Sequence, residues 1–111
     1  MSYAIGHIGI NVLDLERSVK FYSEVFGMKE VFRMHPKSAL DMVLCFMSDR
    51  HNGAMITLAW YGERKTPYEQ GENNVHIAFV TDDFEGSYKR HKEMGLVSIE
   101  ELQKDIYYIE D

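Results

Sequence analysis

The chain carries one pattern twice. His7-Ile-Gly-Ile-Asn-Val-Leu-Asp14 runs into an amphipathic stretch ending at Phe26-Gly27-Met28, and His76-Ile-Ala-Phe-Val-Thr-Asp-Asp83 runs into another ending at Met94-Gly95-Leu96. The two histidines lie 69 positions apart and the two glycines 68. A period this long is one supersecondary unit used twice. Each copy places a histidine at the same point of its first strand, and imidazole is the commonest metal-ligating side chain. A pseudo-twofold arrangement of the copies would bring the pair together. The duplication therefore points to a metal site.

With 111 residues the chain is expected to be one small domain. Its 45% apolar and 13% aromatic content fits a globular protein rather than a disordered one. The net charge of −6, from 12 basic and 18 acidic residues, opposes attraction to nucleic acid or to anionic membranes. Lys89, Arg90 and Lys92 cluster only locally, with Glu85 and Glu93 beside them. No apolar run approaches the roughly 20 residues of a membrane-spanning helix. The first residues, Met1 to His7, lack the basic and then apolar pattern of a secretory signal. The single cysteine, Cys45, forms no internal disulfide, which fits a reducing cytoplasm. Leu44, Phe46 and Met47 around it indicate a buried thiol.

Tyr3 to Val12 reads as a strand, with Ile8, Ile10 and Val12 on one face and Ile5, His7, Gly9 and Asn11 on the other. Asp14 is placed to cap a helix. Leu15, Val19, Tyr22 and Phe26 follow at helical spacing, and Gly27 stops it. The Phe21, Tyr22 and Phe26 cluster is expected in the core. Two or three strands should follow, at Lys29 to Met34, Leu40 to Met47 and Ala54 to Trp60. His51-Asn52-Gly53 signals a hairpin turn between the last two. Module one thus spans about 1–61, a polar connector with Gly62, Pro67 and Gly71 covers 62–74, and module two covers 75–111.

Module two opens with an expected strand from Val75 to Thr81. Asp82 or Asp83 caps its helix, Phe84, Tyr88, His91 or Met94 face inward, and Gly95 ends it. Strands follow at Leu96 to Ile99 and Asp105 to Ile109, leaving the second module one strand short of the first. His35, His51 and His91 fall in loop or helix contexts that leave an imidazole solvated. The seven methionines fit an adaptable interior or a dimer face.

These residues resemble the vicinal-oxygen-chelate superfamily, which includes glyoxalase I, extradiol ring-cleaving dioxygenases, fosfomycin-resistance proteins and bleomycin-binding proteins. The resemblance covers essentially the whole chain. It rests most on His7-Ile-Gly-Ile-Asn-Val, on Asp14-Leu-Glu-Arg-Ser-Val-Lys-Phe-Tyr-Ser-Glu-Val-Phe-Gly-Met, on Asn74-Val-His-Ile-Ala-Phe-Val and on the closing Ile106-Tyr-Tyr-Ile-Glu-Asp111. It implies an α+β fold in which tandem β-α-β-β-β modules form a curved mixed sheet around a cleft. It also implies that His7 and His76 are metal ligands and that the chain forms a homodimer around a small-molecule substrate. Thr57 falls where glyoxalase I has a ligating glutamate. The remaining ligand, a glutamate of the last strand, is expected past Asp111, and Glu110 matches the strand before it.

Two imidazoles and a carboxylate leave open positions on a divalent ion, whether iron, manganese, nickel or zinc. Thr57 is neutral and a weak ligand, so it is read as a contact in the substrate cleft or as ordinary strand filler. Asn11 stands where the glutathione-dependent enzymes carry an arginine, and Tyr61 where they carry an asparagine; both are placed at the cleft. These departures look closer to the dioxygenase branch. A lone histidine on such a face is more often structural, but the matched pair favours the metal. The resemblance thus implies a metal-dependent enzyme of the glyoxalase or extradiol-dioxygenase type. The alternative is a metal-free binding protein of the bleomycin-resistance type.

Overall fold

Asp14 and Gly27 set the limits of the first helix. A computed structural model describes residues 1–36, 41–49, 53–69, 71–72, 76–99 and 106–110. The chain divides into two compact units, Met1–Glu69 and Gln70–Asp111. The first contains β1 (His7–Val12), α1 (Leu15–Phe26), β2 (Lys29–Met34), β3 (Met42–Ser48) and β4 (Met55–Tyr61). The Asp14 carboxylate accepts the Arg17 N–H at 3.1 Å, the expected N-cap bond. Gly27 adopts a left-handed φ of 67°. There the Gly27 and Met28 N–H groups bond back to the Ser23 and Tyr22 carbonyls, closing the helix.

The sheet is mixed, in the order β1-β4-β3-β2. β1 runs parallel to β4, while β3 is antiparallel to both β4 and β2. The first unit is therefore the expected β-α-β-β-β module, and the protein is α+β. Its regular strand begins at His7 rather than Tyr3; Tyr3 and Ile5 are largely exposed.

α1 lies on the face carrying Cys45, Met47, Ile56 and Leu58, because Glu16 of the helix bonds Arg33 of that face. Cys45, Met47 and Leu58 are fully buried there, with Leu15, Val25 and Met28 from the helix and its end. Each such apolar side chain contributes roughly 1.5–3 kcal/mol on burial. Phe21, Tyr22 and Phe26 are half-buried and meet at 5.2–6.3 Å between ring centres. The Arg33 guanidinium pairs with both Glu30 oxygens at 2.9 Å and with Glu16 at 2.6 Å. Hydrogen bonding to Arg33 lowers the pKa of both carboxyls.

The second unit contains α2 (Phe84–Glu93) and an antiparallel pair, β5 (Val97–Ile99) and β6 (Tyr108–Ile109). Asp83 caps α2 by accepting the Gly86 N–H at 3.0 Å. The expected strand over Val75 to Thr81 is not formed: residues 76–80 have no regular structure, and Val80 is 99% exposed. A strand needs a ladder. In the first unit β1 obtains its ladder from β4 alone. No strand among the described residues of the second unit pairs with 76–80.

His91 is buried, as its place among the inward-facing residues of the helix implies and contrary to a solvated imidazole. Its Nδ1 lies 2.8 Å from the Tyr107 hydroxyl, which is 2.6 Å from Ser87 Oγ. Phe84 and Tyr88 pack edge-on against the same Tyr107 ring at 5.4 and 5.2 Å. No helix among the described residues is long and apolar enough to cross a membrane.

Candidate functional site

Register brings the expected residues of the first unit onto one face. Thr57 of β4 is paired with Gly9 of β1 on one side and with Phe46 of β3 on the other. His7 is paired with Met55, and Asn11 with Ala59. Alternation then puts His7, Gly9, Asn11, Thr57 and Tyr61 on the face away from α1. His76 belongs to the second unit and is exposed in the irregular segment that opens it.

Phe46 and Phe32 complete this face, and sequence reasoning passed over both. The His7 imidazole meets the Phe46 ring edge-on, 5.4 Å between centres and 85° between planes. Phe46 in turn stacks on Phe32 at 4.2 Å and 13°. β4 lies between β1 and β3, so the His7 and Phe46 rings meet above the strand that carries Thr57. Phe32 remains 45% exposed. The space that a Cβ on Gly9 would occupy is open.

Thr57 is 4% exposed, yet its hydroxyl has no hydrogen-bond partner among the described residues. A buried polar group normally has one. Asn11 and Tyr61 are exposed at the far ends of their strands.

The acidic and sulfur chemistry of this unit lies on the other side of the sheet. Arg33, Glu30 and Glu16 meet on the helix side. Cys45 is buried there, and desolvation together with nearby Glu30 pushes its thiol up to about 11. A thiol so placed is a poor nucleophile. A shallow depression lined by Leu13, Leu15, Val43 and Trp60 also lies on the helix side.

His7 is the nitrogen donor of the site face, and the His76 imidazole is exposed in the second unit. No group of three or more histidine, cysteine, aspartate or glutamate side chains is gathered among the described residues. An imidazole donor suits a transition-metal ion.

A sequence model of the Glyoxalase/Bleomycin resistance protein/Dioxygenase superfamily matches residues 4–108. The chain belongs to this superfamily. It is 38% identical over 79 residues to a probable lactoylglutathione lyase of Vibrio parahaemolyticus, a match covering 69% of this chain and 56% of that protein. The chain thus spans little more than half the length of that lyase. An uncharacterized Bacillus subtilis protein, YwbC, is 30% identical over 91% of this chain and 79% of its own. In three dimensions the chain resembles the trypanothione-dependent glyoxalase I of Leishmania major. That TM-score is 0.80 at 25% identity, over 99% of this chain and 80% of the other.

Proposed function

We propose that this chain is a glyoxalase-type lyase acting on a small molecule with adjacent oxygen atoms. His7 and His76 donate imidazoles to a divalent metal ion. The observation that carries the reading is the site face itself: an exposed imidazole beside an unpartnered, buried hydroxyl on an aromatic floor. Its likeness to proteins named as lactoylglutathione lyases favours lyase chemistry over ring cleavage. The metal would supply Lewis acidity toward a substrate carbonyl. Phe46 and Phe32 offer an apolar surface on which the substrate lies, and the open space over Gly9 admits it. Thr57 is not a base, so the proton-abstracting group stands elsewhere than at position 57.

The two units form one domain, with module one at about 1–61 and module two at 75–111, and the protein works as a cytoplasmic homodimer. A second reading is a metal-free binding protein, and the neutral Thr57 where glyoxalase I has a ligating glutamate favours it. Elemental analysis of the wild type and of a His7→Ala/His76→Ala double variant, after incubation with divalent ions, separates the two. The same preparations are assayed for S-lactoylglutathione formation from methylglyoxal and glutathione. Near-stoichiometric metal and turnover, both lost in the variant, are expected. No metal and no turnover in the wild type would leave the binding protein.

A further inference from the structure

A buried hydroxyl with no partner is costly, and Thr57 sits where three features converge. Its strand is flanked by Gly9, which leaves open space, and by Phe46. The His7 ring, one pair along from Gly9 on the same face, leans across β4 to reach Phe46. The hydroxyl is therefore roofed by a contact that an imidazole engaged with a ligand has no need to keep. His7 is tied down only by this ring contact among the described residues, and edge-on aromatic pairs hold weakly.

We propose that Thr57 is a ligand-contacting residue uncovered when His7 leaves Phe46. The freed hydroxyl then hydrogen-bonds an oxygen of the bound molecule, whose apolar part lies on Phe46 and Phe32. Thr57 so becomes the polar specificity element of the face, selecting molecules with a carbonyl or hydroxyl oxygen beside an apolar group. A site built to hydrogen-bond an oxygen rejects analogues lacking it more strongly than an apolar pocket does. This inference rests on the lyase reading only for the identity of its probe.

The roof is tested without any ligand, by a double-mutant cycle on melting temperature. Thr57→Val replaces the unpartnered hydroxyl by a methyl. It is expected to raise the melting temperature by on the order of 5 °C in the wild-type background. In a His7→Ala background water reaches the hydroxyl, and the same substitution is expected to gain less than about half as much. Equal gains in both backgrounds would overturn the proposal. The contact is tested by calorimetric binding of S-lactoylglutathione to the metal-loaded wild type, Thr57→Val and Thr57→Ser. A loss of about tenfold or more in Thr57→Val, largely restored in Thr57→Ser, is expected. Unchanged binding by Thr57→Val would also overturn it. A wild type that ignores this probe would refute the lyase substrate, and Thr57 would then stand or fall on the melting cycle.

Discussion

At position 57 a single side chain separates this face from the ligand pattern that the resemblance to glyoxalase I implies. Thr57 is buried on the face that His7 shares, with no carboxylate among the described strand residues of that face. Replacing it by glutamate would place an acid beside the imidazole, as the resemblance to glyoxalase I implies. Without metal, that acid is a carboxylate taken out of water at a buried position, which costs on the order of a few kcal/mol. Thr57→Glu is therefore expected to melt well below the wild type without metal and to recover most of the loss on adding Ni(II). Differential scanning fluorimetry with and without the ion checks this. Recovery no larger than in the wild type would show that position 57 does not face the metal. The parity that puts Phe46 on the same face was present in the sequence. A turn centred on Asn52 and Gly53 sets even-numbered residues of β3 against odd-numbered ones of β4. Residues 51 and 52 of that turn lie outside the described residues, yet the observed pairing of Phe46 with Thr57 has the parity the turn implies. Phe46 was passed over because a phenylalanine between Cys45 and Met47 reads as core from either side.

β2 and α1 are joined by Arg33, which grips Glu30 on its own strand and Glu16 on the helix. Both carboxyls have folded-state pKa values below 4.5. Their contribution is therefore complete above the unfolded value and disappears as pH falls through the lowered folded values. Arg33→Met is expected to lower stability near neutral pH, modestly because the pairs are largely exposed. The gap from the wild type should close in acid. Urea unfolding of both proteins from about pH 7 to pH 3 checks the sign, and a gap that widens in acid would refute it. The helices were legible because their stops are local: Asp14 and Asp83 each accept an N–H in their first turn. Gly27 and Gly95 both take left-handed φ at the far ends. Alternation alone did not tell a segment that finds a ladder from one that does not. Residues 76–80 alternate like β1 but lack its ladder. His91 is bonded by Tyr107, 16 positions on; helical spacing put it among the inward-facing residues, but the spacing does not name that partner.

Across the molecule the two copies have diverged in how they are held. The buried apolar side chains among the described residues, Val12 through Ala59, all belong to the first unit. In the second, His91 is the buried side chain among those described, and the segment carrying His76 has no regular hydrogen bonding. Amide exchange should reflect this, with β3 and β4 protected longest and residues 76–80 exchanging fast. That contrast makes the segment a sensitive reporter of the proposed ligand role of His76. An ion bound through its imidazole stabilises the bound conformation by about 2.7 kcal/mol at a hundred times the dissociation constant. Closing the segment around the ion would then slow exchange there by up to roughly a hundredfold. Zn(II) is expected to slow residues 76–80 by tenfold or more in the wild type and to leave them unchanged in His76→Ala. Mass-spectrometric exchange with and without the ion resolves this. If Zn(II) slows the segment equally in both proteins, the ion binds without His76; if it slows neither, the second copy has kept its histidine without the ligand role.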